Sequence, residues 1–443
     1  MSEMSGIPEV LHGRQWKEWL AFFPQIGSLA AGKPVLWNNN HGMAAGSALS
    51  GSGFTPQDVE DASLRLRRFT PFLGKVFPDM DQDRAFTASP LRESPAILET
   101  LTSLYHLPAC ANILFKLDNQ LPFSGSVKDR GGVYEVLKLA ESLAIYAEKL
   151  KWTDDYSRLV EPEMREFYSQ FGLSIISGSS LGLAAGLAGK ALGFRAMAHI
   201  SASTERWKKE ALRAGGIELT EHQSGYEEML KSAYETAQKD AHCFLISEPA
   251  SSRDMLLGYA IAGFELKEQL AAQGIEVNAA HPLYVYLPCS SGLEASGLCL
   301  GLKFAFLNDV RCFLAEPVYA PVVSLGLGTG LFDHVSTREI GLDGKSIACA
   351  MAYDRPSKLT CQVLRNILDG CVTVDDKVLL RLLALLRKYE QIKVEPAAVA
   401  GLAAYIVVGY SGQGRRFEHG THVVWFNSGG LMPEEAIQEY FQV

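Results

Sequence analysis

The sequence is poor in positive charge, in long apolar runs and in paired metal ligands. Its 443 residues carry a formal charge of −9, so no basic face is expected and no nucleic-acid partner with it. No apolar stretch approaches the roughly 20 residues of a membrane span. Met1 to Pro8 lacks the basic-then-apolar pattern of a secretory signal. Repeats and low-complexity tracts are absent. The eight cysteines (Cys110, Cys243, Cys289, Cys299, Cys312, Cys349, Cys361 and Cys371) form no C-x-x-C pair. Several lie in apolar runs where a thiol packs as a small hydrophobe, a usage that suits a reducing cytoplasm. His199, His419 and His422 show no metal-ligand spacing, which leaves them structural roles.

What is present is ordinary for a globular chain: 47% apolar and 21% charged residues, enough for one large two-lobed domain or two domains. The first 50 residues read as an N-terminal extension, helical around Trp16 to Phe23 and irregular from Asn38 through Gly53. Thr55-Pro56-Gln57-Asp58 has the cap, proline and acid of a helix start. From residue 112 onward, short β-branched runs alternate with helical patterns. Strands are expected at 112–117, 173–176, 194–200, 217–219, 243–246, 283–287, 311–314 and 422–426. This alternation argues an α/β protein with mostly parallel sheets, with its ligand beyond the carboxyl ends of strands. Residues 141–170, rich in charges such as Glu141, Glu148, Lys151, Glu161 and Glu163, read as a helical insertion on the surface.

Four small-residue loops follow strands, at 124–128, 177–180, 289–292 and 427–430. If their strands share one sheet edge, the loops converge on one crevice. The first is the most informative: Ser124-Gly125-Ser126-Val127-Lys128-Asp129-Arg130-Gly131-Gly132 leads from a strand into a helix, with a lysine at the junction. Small residues let backbone amides approach a ligand, and a helix start favours an anion. A desolvated lysine there can lose its proton and attack a carbonyl to form a Schiff base; the other reading of Lys128 is a solvated helix-start cation. Ser177-Gly178-Ser179-Ser180 offers either free amides for a carboxylate or an N-cap turn. Cys289-Ser290-Ser291-Gly292 suits a phosphate in principle, while Cys289 reads as a nucleophile or, better, a buried thiol. Glu316-Pro317 is a cation ligand, an acid or a turn.

The order of these loops, with Leu121 to Glu135, Trp207-Lys208-Lys209, Leu257-Gly258-Tyr259, Tyr286-Leu287-Pro288-Cys289, Ala315-Glu316-Pro317 and Met432-Pro433-Glu434-Glu435, resembles the D-serine dehydratase (D-serine ammonia-lyase) family. That family belongs to the fold-type II group of pyridoxal-phosphate enzymes, and the likeness runs from about residue 54 to 440. It implies two open, twisted, mostly parallel sheets of the tryptophan synthase β-like type, with the active site in the cleft between them. The implied division is an extension plus first part of a large cofactor domain at 1–130, a smaller mobile domain at 131–245, and the rest of the large domain at 246–443.

The resemblance also implies residue roles. Lys128 would hold pyridoxal 5'-phosphate as a Schiff base and move the α-proton of the substrate. Ser177, Gly178 and Ser179 would bind the substrate carboxylate. Ser180, Ser290, Ser291, Gly292, Leu293, Glu294 and Asn427 would bind the cofactor, and Glu316 would take part in a potassium site. The implied reaction is elimination from D-serine, or a related β-hydroxy amino acid, to pyruvate and ammonia. The expected partner is a small amino-acid substrate, with no nucleic acid and no membrane, and the chain acts as a monomer or small homo-oligomer.

The departures fall in the pocket. Ser180 stands where the family has asparagine, Ser179 replaces the glycine before it, and Asn427-Ser428 replaces a threonine-glycine pair. The family's glycine-rich phosphate cup is Ser290-Ser291-Gly292-Leu293-Glu294, with one glycine. A carboxylate about 5 Å from a phosphate costs roughly 3 kcal/mol per unit charge at an effective dielectric near 20. Two alternatives to the lyase therefore stay open: a cofactor-impaired relative with a binding or regulatory role, and a pyridoxal-phosphate enzyme with a different substrate or reaction, such as racemisation or β-replacement.

Overall fold

The computed structural model describes residues 7–39, 43–78, 88–176, 180–223, 226–248, 253–411 and 417–441. The alternating pattern becomes two large sheets, one in each of two units, and a two-stranded ribbon, Val10–Leu11 with Arg14–Gln15, precedes them in the first unit. The first unit comprises Met1–Thr55, Pro90–Asp118 and Gly263–Val443; the second comprises Pro56–Ser89 and Asn119–Ala262. These bounds differ from the implied ones, because 56–89, 119–130 and 246–262 group with the smaller unit.

The first unit is built on a seven-stranded sheet, in the order Leu36–Asn38, Gly370–Val374, Val310–Pro317, Leu283–Pro288, Thr421–Phe426, Asn112–Leu117, Leu91–Glu93. Its five inner strands are parallel and its two edge strands antiparallel. Leu283–Pro288 and Thr421–Phe426 are buried at every position, as expected for parallel strands covered on both faces. Phe115, Tyr286, Phe313, Val372 and Val424 form one core with Leu382, Leu383 and Leu386 of the helix Asp376–Glu390 and Ala403 and Tyr405 of the helix Ala400–Tyr410. The N-terminal segment is more ordered than its composition implies. Leu36–Asn38 pairs with Gly370–Val374, and a short helix spans Ala45–Ser50.

In the second unit the sheet has four parallel strands, in the order Glu218–His222, Arg195–Ser201, Gly172–Ile176, Cys243–Ile246. The expected helix after Thr55 runs from Pro56 to Val76. The segment 141–170 is only partly a surface insertion. Glu148, Glu161 and Glu163 are exposed, but Glu141 is buried, bound by Arg65, Arg68 and the Tyr156 hydroxyl. Tyr156, Leu159, Met164 and Tyr168 join the core.

Three adjacent strands of the small sheet carry a polar chain: Ser174 Oγ lies 3.1 Å from His199 Nε2, and His199 Nδ1 lies 3.1 Å from His222 Nε2. Burial, with His222 alongside, pushes His199 down to about 4. The folded state keeps this ring neutral while the unfolded chain takes up a proton below the ordinary value of 6.5, so its contribution is present above pH 6.5 and lost as pH falls toward 4. We expect His199→Asn to cost stability at pH 7.5. Relative to the variant, the wild type should lose about 1.4 kcal/mol per pH unit between those limits. Paired denaturant titrations across pH measure this, and parallel profiles would contradict it.

Candidate active site

The loop that presents Lys128 is shaped by its neighbour Asp129. The Asp129 carboxylate is fully buried and accepts hydrogen bonds from the Phe123 amide (2.8 Å), the Ser124 amide (3.0 Å) and the Ser124 hydroxyl. This closes residues 123–129 into a tight turn in which Gly125 has φ +59°, a conformation glycine adopts without strain. A single π-type turn at Asp129–Val133 then leads into the helix Tyr134–Tyr146. The two glycines that follow are packing residues rather than ligand-crowding ones. A Cβ on Gly131 would lie 2.5 Å from the Tyr259 ring, and one on Gly132 would lie 2.7 Å from Leu181.

Lys128 is not a solvated cation. Its side chain is 16% exposed, and Nζ donates to Glu248 Oε1 at 2.5 Å. The Tyr259 hydroxyl donates to the same oxygen at 3.1 Å. Glu248 follows the strand Cys243–Ile246, and Tyr259 belongs to the helix Arg253–Ala272. Neither residue's role was visible in the sequence. The available signal was an acid just past the carboxyl end of a parallel strand. Ser180 opens the helix Ser180–Leu192 at the end of the neighbouring strand Gly172–Ile176; Ser177, Gly178 and Ser179 lie outside the described residues.

The other loops sit in the first unit, along the carboxyl edge of the large sheet. The registers Pro288↔Ala315 and Tyr286↔Val424 set the loop at 289–292 between Glu316 and Asn427. The strands Asn112–Leu117, Leu283–Pro288 and Thr421–Phe426 share this sheet, whereas Gly172–Ile176 belongs to the other. The condition that all four loops leave one sheet edge is therefore not met.

Gly292 caps the helix Leu293–Phe306 with φ +92°. A Cβ there would lie 2.4 Å from Thr360 Cγ2, so no other residue fits. Ser290 Oγ donates to Glu294 Oε1 at 2.6 Å. Ser291 is buried, and its hydroxyl has no hydrogen-bond partner among the described residues. Leu293 and Glu294 are buried in the first helical turn. Cys289 is fully buried with its thiol over the Ser290 carbonyl, which favours the structural reading. Asn427 is buried beside Ser428, whose hydroxyl donates to its Oδ1 at 3.3 Å.

Glu316 is fully buried. Its Oε1 accepts from the Val323 amide (2.7 Å), and its Oε2 accepts from the Ser324 amide (2.9 Å) and hydroxyl (2.5 Å). Burial raises this carboxyl to about 7 against those hydrogen bonds. His422 is buried between the Tyr286 hydroxyl and the Phe417 carbonyl. Among the described residues no group of three or more His, Cys, Asp or Glu side chains is placed to hold a metal ion, and no helix is long and apolar enough to cross a membrane.

Residues 91–429 match the model of the pyridoxal-phosphate dependent enzymes. The chain belongs to that family. It is 39% identical over 429 residues to a D-serine dehydratase of Citrobacter koseri, covering 95% of this chain and 97% of that protein. It is 37% identical over 436 residues to a probable D-serine dehydratase of Halalkalibacterium halodurans, covering 97% and 98%. Among solved structures, diaminopropionate ammonia lyase of Escherichia coli superposes with a TM-score of 0.69 at 16% identity, covering 93% of this chain and 96% of that one. A threonine deaminase from T.th. superposes with a TM-score of 0.60 at 21% identity, covering 85% and 98%. These neighbours confirm the fold-type II architecture.

A pyridoxal-phosphate enzyme needs an amine for the cofactor's aldehyde and a seat for its phosphate dianion. Taken unit by unit, the smaller one offers a half-buried amine at Lys128 that suits the first need, and the larger one offers an orphaned buried hydroxyl at Ser291 and the amide end of a 14-residue helix beginning at Leu293, which suit the second. Glu294, in that helix's first turn, would oppose a dianion seated there. We expect Glu294→Gln, which keeps an acceptor for Ser290, to bind pyridoxal phosphate up to about a hundredfold more tightly. Titration of the cofactor's visible band into cofactor-free wild type and variant measures this, and equal affinities would show that Glu294 does not oppose the phosphate.

Proposed function

We propose that this chain is a pyridoxal-phosphate-dependent ammonia-lyase that converts D-serine, or a closely related β-hydroxy amino acid, to pyruvate and ammonia. The observation that carries the reading is the half-buried Lys128 amine, held by Glu248 at 2.5 Å, in a chain similar over nearly its whole length to D-serine dehydratases. When bound, pyridoxal phosphate supplies a conjugated ring that takes up the electron pair left at the α-carbon. Lys128 Nζ attaches the cofactor and moves the α-proton. Ser177, Gly178 and Ser179 receive the substrate carboxylate, next to the helix that opens at Ser180. Ser180 and Asn427 orient the ring by hydrogen bonds, and Ser290, Ser291, Gly292, Leu293 and Glu294 line the phosphate seat. Loss of the α-proton and the β-hydroxyl releases water, and hydrolysis of the unsaturated amine gives pyruvate and ammonia.

Potassium enters this reading through Glu316 alone. Its two oxygens already accept three hydrogen bonds from Val323 and Ser324, so we assign it first to fixing the start of the helix Val322–Thr329. The same reading places the protein in the cytoplasm, as a monomer or small homo-oligomer. A cofactor-impaired binding protein is the second reading, favoured by the buried Glu294 in a seat with one glycine.

Purified protein supplied with pyridoxal phosphate and D-serine is expected to release pyruvate and ammonia in equal amounts. Lys128→Ala is expected to lose both the turnover and the protein-bound visible band. Recovery of L-serine or a β-substituted product instead of pyruvate would replace this reaction with racemisation or β-replacement. Absence of any bound cofactor at millimolar supply would favour the second reading.

A further inference from the structure

A lysine amine has an ordinary pKa near 10.4, so at neutral pH it is an ammonium and not a nucleophile. Before Lys128 can bond to a carbonyl carbon, one proton must leave Nζ for an acceptor within reach. The nearest groups along the chain are engaged elsewhere: the Asp129 carboxylate accepts from Phe123 and Ser124, and Ser126 Oγ receives the Lys128 amide at 3.3 Å. Glu248 does reach the amine. Its side chain is 6% exposed, and Oε1 lies 2.5 Å from Nζ.

We propose that Glu248 is the proton acceptor that frees the Lys128 amine and the donor that restores it, with Tyr259 fixing the carboxylate in position. This rests on the assignment of Lys128 as the attachment point. The step balances within the pair. The Nζ–H bond breaks and its proton bonds to Oε1, so an ammonium and a carboxylate become a neutral amine and a neutral acid. The proton returns when the lysine is released from the carbonyl carbon. Moving a proton between a half-buried amine and the buried carboxylate it touches leaves the net charge of the pair unchanged, so no isolated charge is created at the buried carboxylate.

The geometry is set by packing on three elements. Glu248 is carried past the end of a strand in the small sheet, and Lys128 stands on the turn closed by Asp129. Tyr259 is wedged against Gly131, where a Cβ would lie 2.5 Å from its ring, and Gly258 comes so close that its own Cβ would lie 2.5 Å from the Arg130 carbonyl oxygen. The Tyr259 hydroxyl donates to the oxygen that faces Nζ, which holds that oxygen in line and moderates its basicity. Tyr259 is thus a positioning residue.

The test follows appearance of the visible band after mixing cofactor-free protein with pyridoxal phosphate across pH. Borohydride reduction and peptide mass then locate the modified lysine. Wild type is expected to form the band readily at neutral pH. Glu248→Gln is expected to slow it at pH 7 by on the order of a hundredfold and to recover as pH rises, because solvent must then take the proton. Glu248→Asp should recover part of the rate. Tyr259→Phe keeps the packing but removes one donor, and should move the profile toward higher pH, because the carboxylate left with fewer donors has a raised pKa. If reduction marks Lys128 in wild type while the Glu248→Gln and wild-type profiles coincide, Glu248 is not the acceptor. If Glu248→Gln fails to fold, an unmoved profile in folded Tyr259→Phe overturns the proposal. An adduct that persists in Lys128→Ala overturns the assignment of Lys128 itself.

Discussion

Lys128 is presented by a carboxylate that belongs to the next residue. Asp129 is fully buried, and the amides of Phe123 and Ser124 and the Ser124 hydroxyl donate to it. A buried carboxylate is tolerable when its lone pairs are met by donors, and costly when they are not. Three donors from one turn therefore make the turn and the charge depend on each other. If the chain opened at 123–124, Asp129 would lose these donors; without Asp129, two buried amides would lose their acceptor. The turn is consequently stiff, and Lys128, one residue earlier, inherits that stiffness. The backbone entropy that would oppose placing its Cα is lost on folding, before any ligand arrives.

Much of this architecture was legible because parallel strands and their helices leave strong local patterns. Leu283–Pro288 is a continuous apolar run with turn residues after it, and each expected strand is observed within a few residues, although the inner strand Gly370–Val374, lodged between two helical patterns, was not among them. The misses have particular causes. Leu36–Asn38 and Leu91–Glu93 are three-residue edge strands, too short to show a period, and they exist only because a long partner lies alongside. Glu141 looks like a solvated charge until Arg65 and Arg68 arrive from a helix more than 70 positions earlier in the chain. Glu248 carries no motif at all. Its meaning comes from the register of Cys243–Ile246 beside Gly172–Ile176, which sequence spacing does not encode. Even Gly131 and Gly132, legible as small, owe that smallness to Tyr259 and Leu181, which pack where a Cβ would lie.

Two acids along the carboxyl edge of the large sheet show how a helix start can be used. At Glu316 the protein supplies its own acceptor: the carboxyl oxygens sit where the first amides of Val322–Thr329 point, and burial lifts its pKa to about 7. At Glu294 the carboxylate belongs to the first turn of Leu293–Phe306 itself and is drawn back by Ser290. An acid in a first turn already profits from the helix field, so part of the attraction that would otherwise go to a phosphate is used internally. For a phosphate placed at this loop, as proposed, the few glycines and this acid would act in the same direction, because side chains and charge both leave it less room.

The small unit places acid and amine differently. There the carboxylate of Glu248 meets a cation rather than an amide array, and the pair as a whole is neutral. Neutral pairs can be buried at moderate cost when each partner has further hydrogen bonds, and Glu248 has one from Tyr259. Such a pair has two ways of carrying its protons, as ions or as neutral molecules, and the lower the local dielectric the closer they lie in energy. The partial burial of Lys128 therefore brings the two arrangements closer in energy without changing any contact. The same burial that makes an unpaired lysine costly is tolerable for a paired one, and that difference is set by the position of a single carboxylate oxygen.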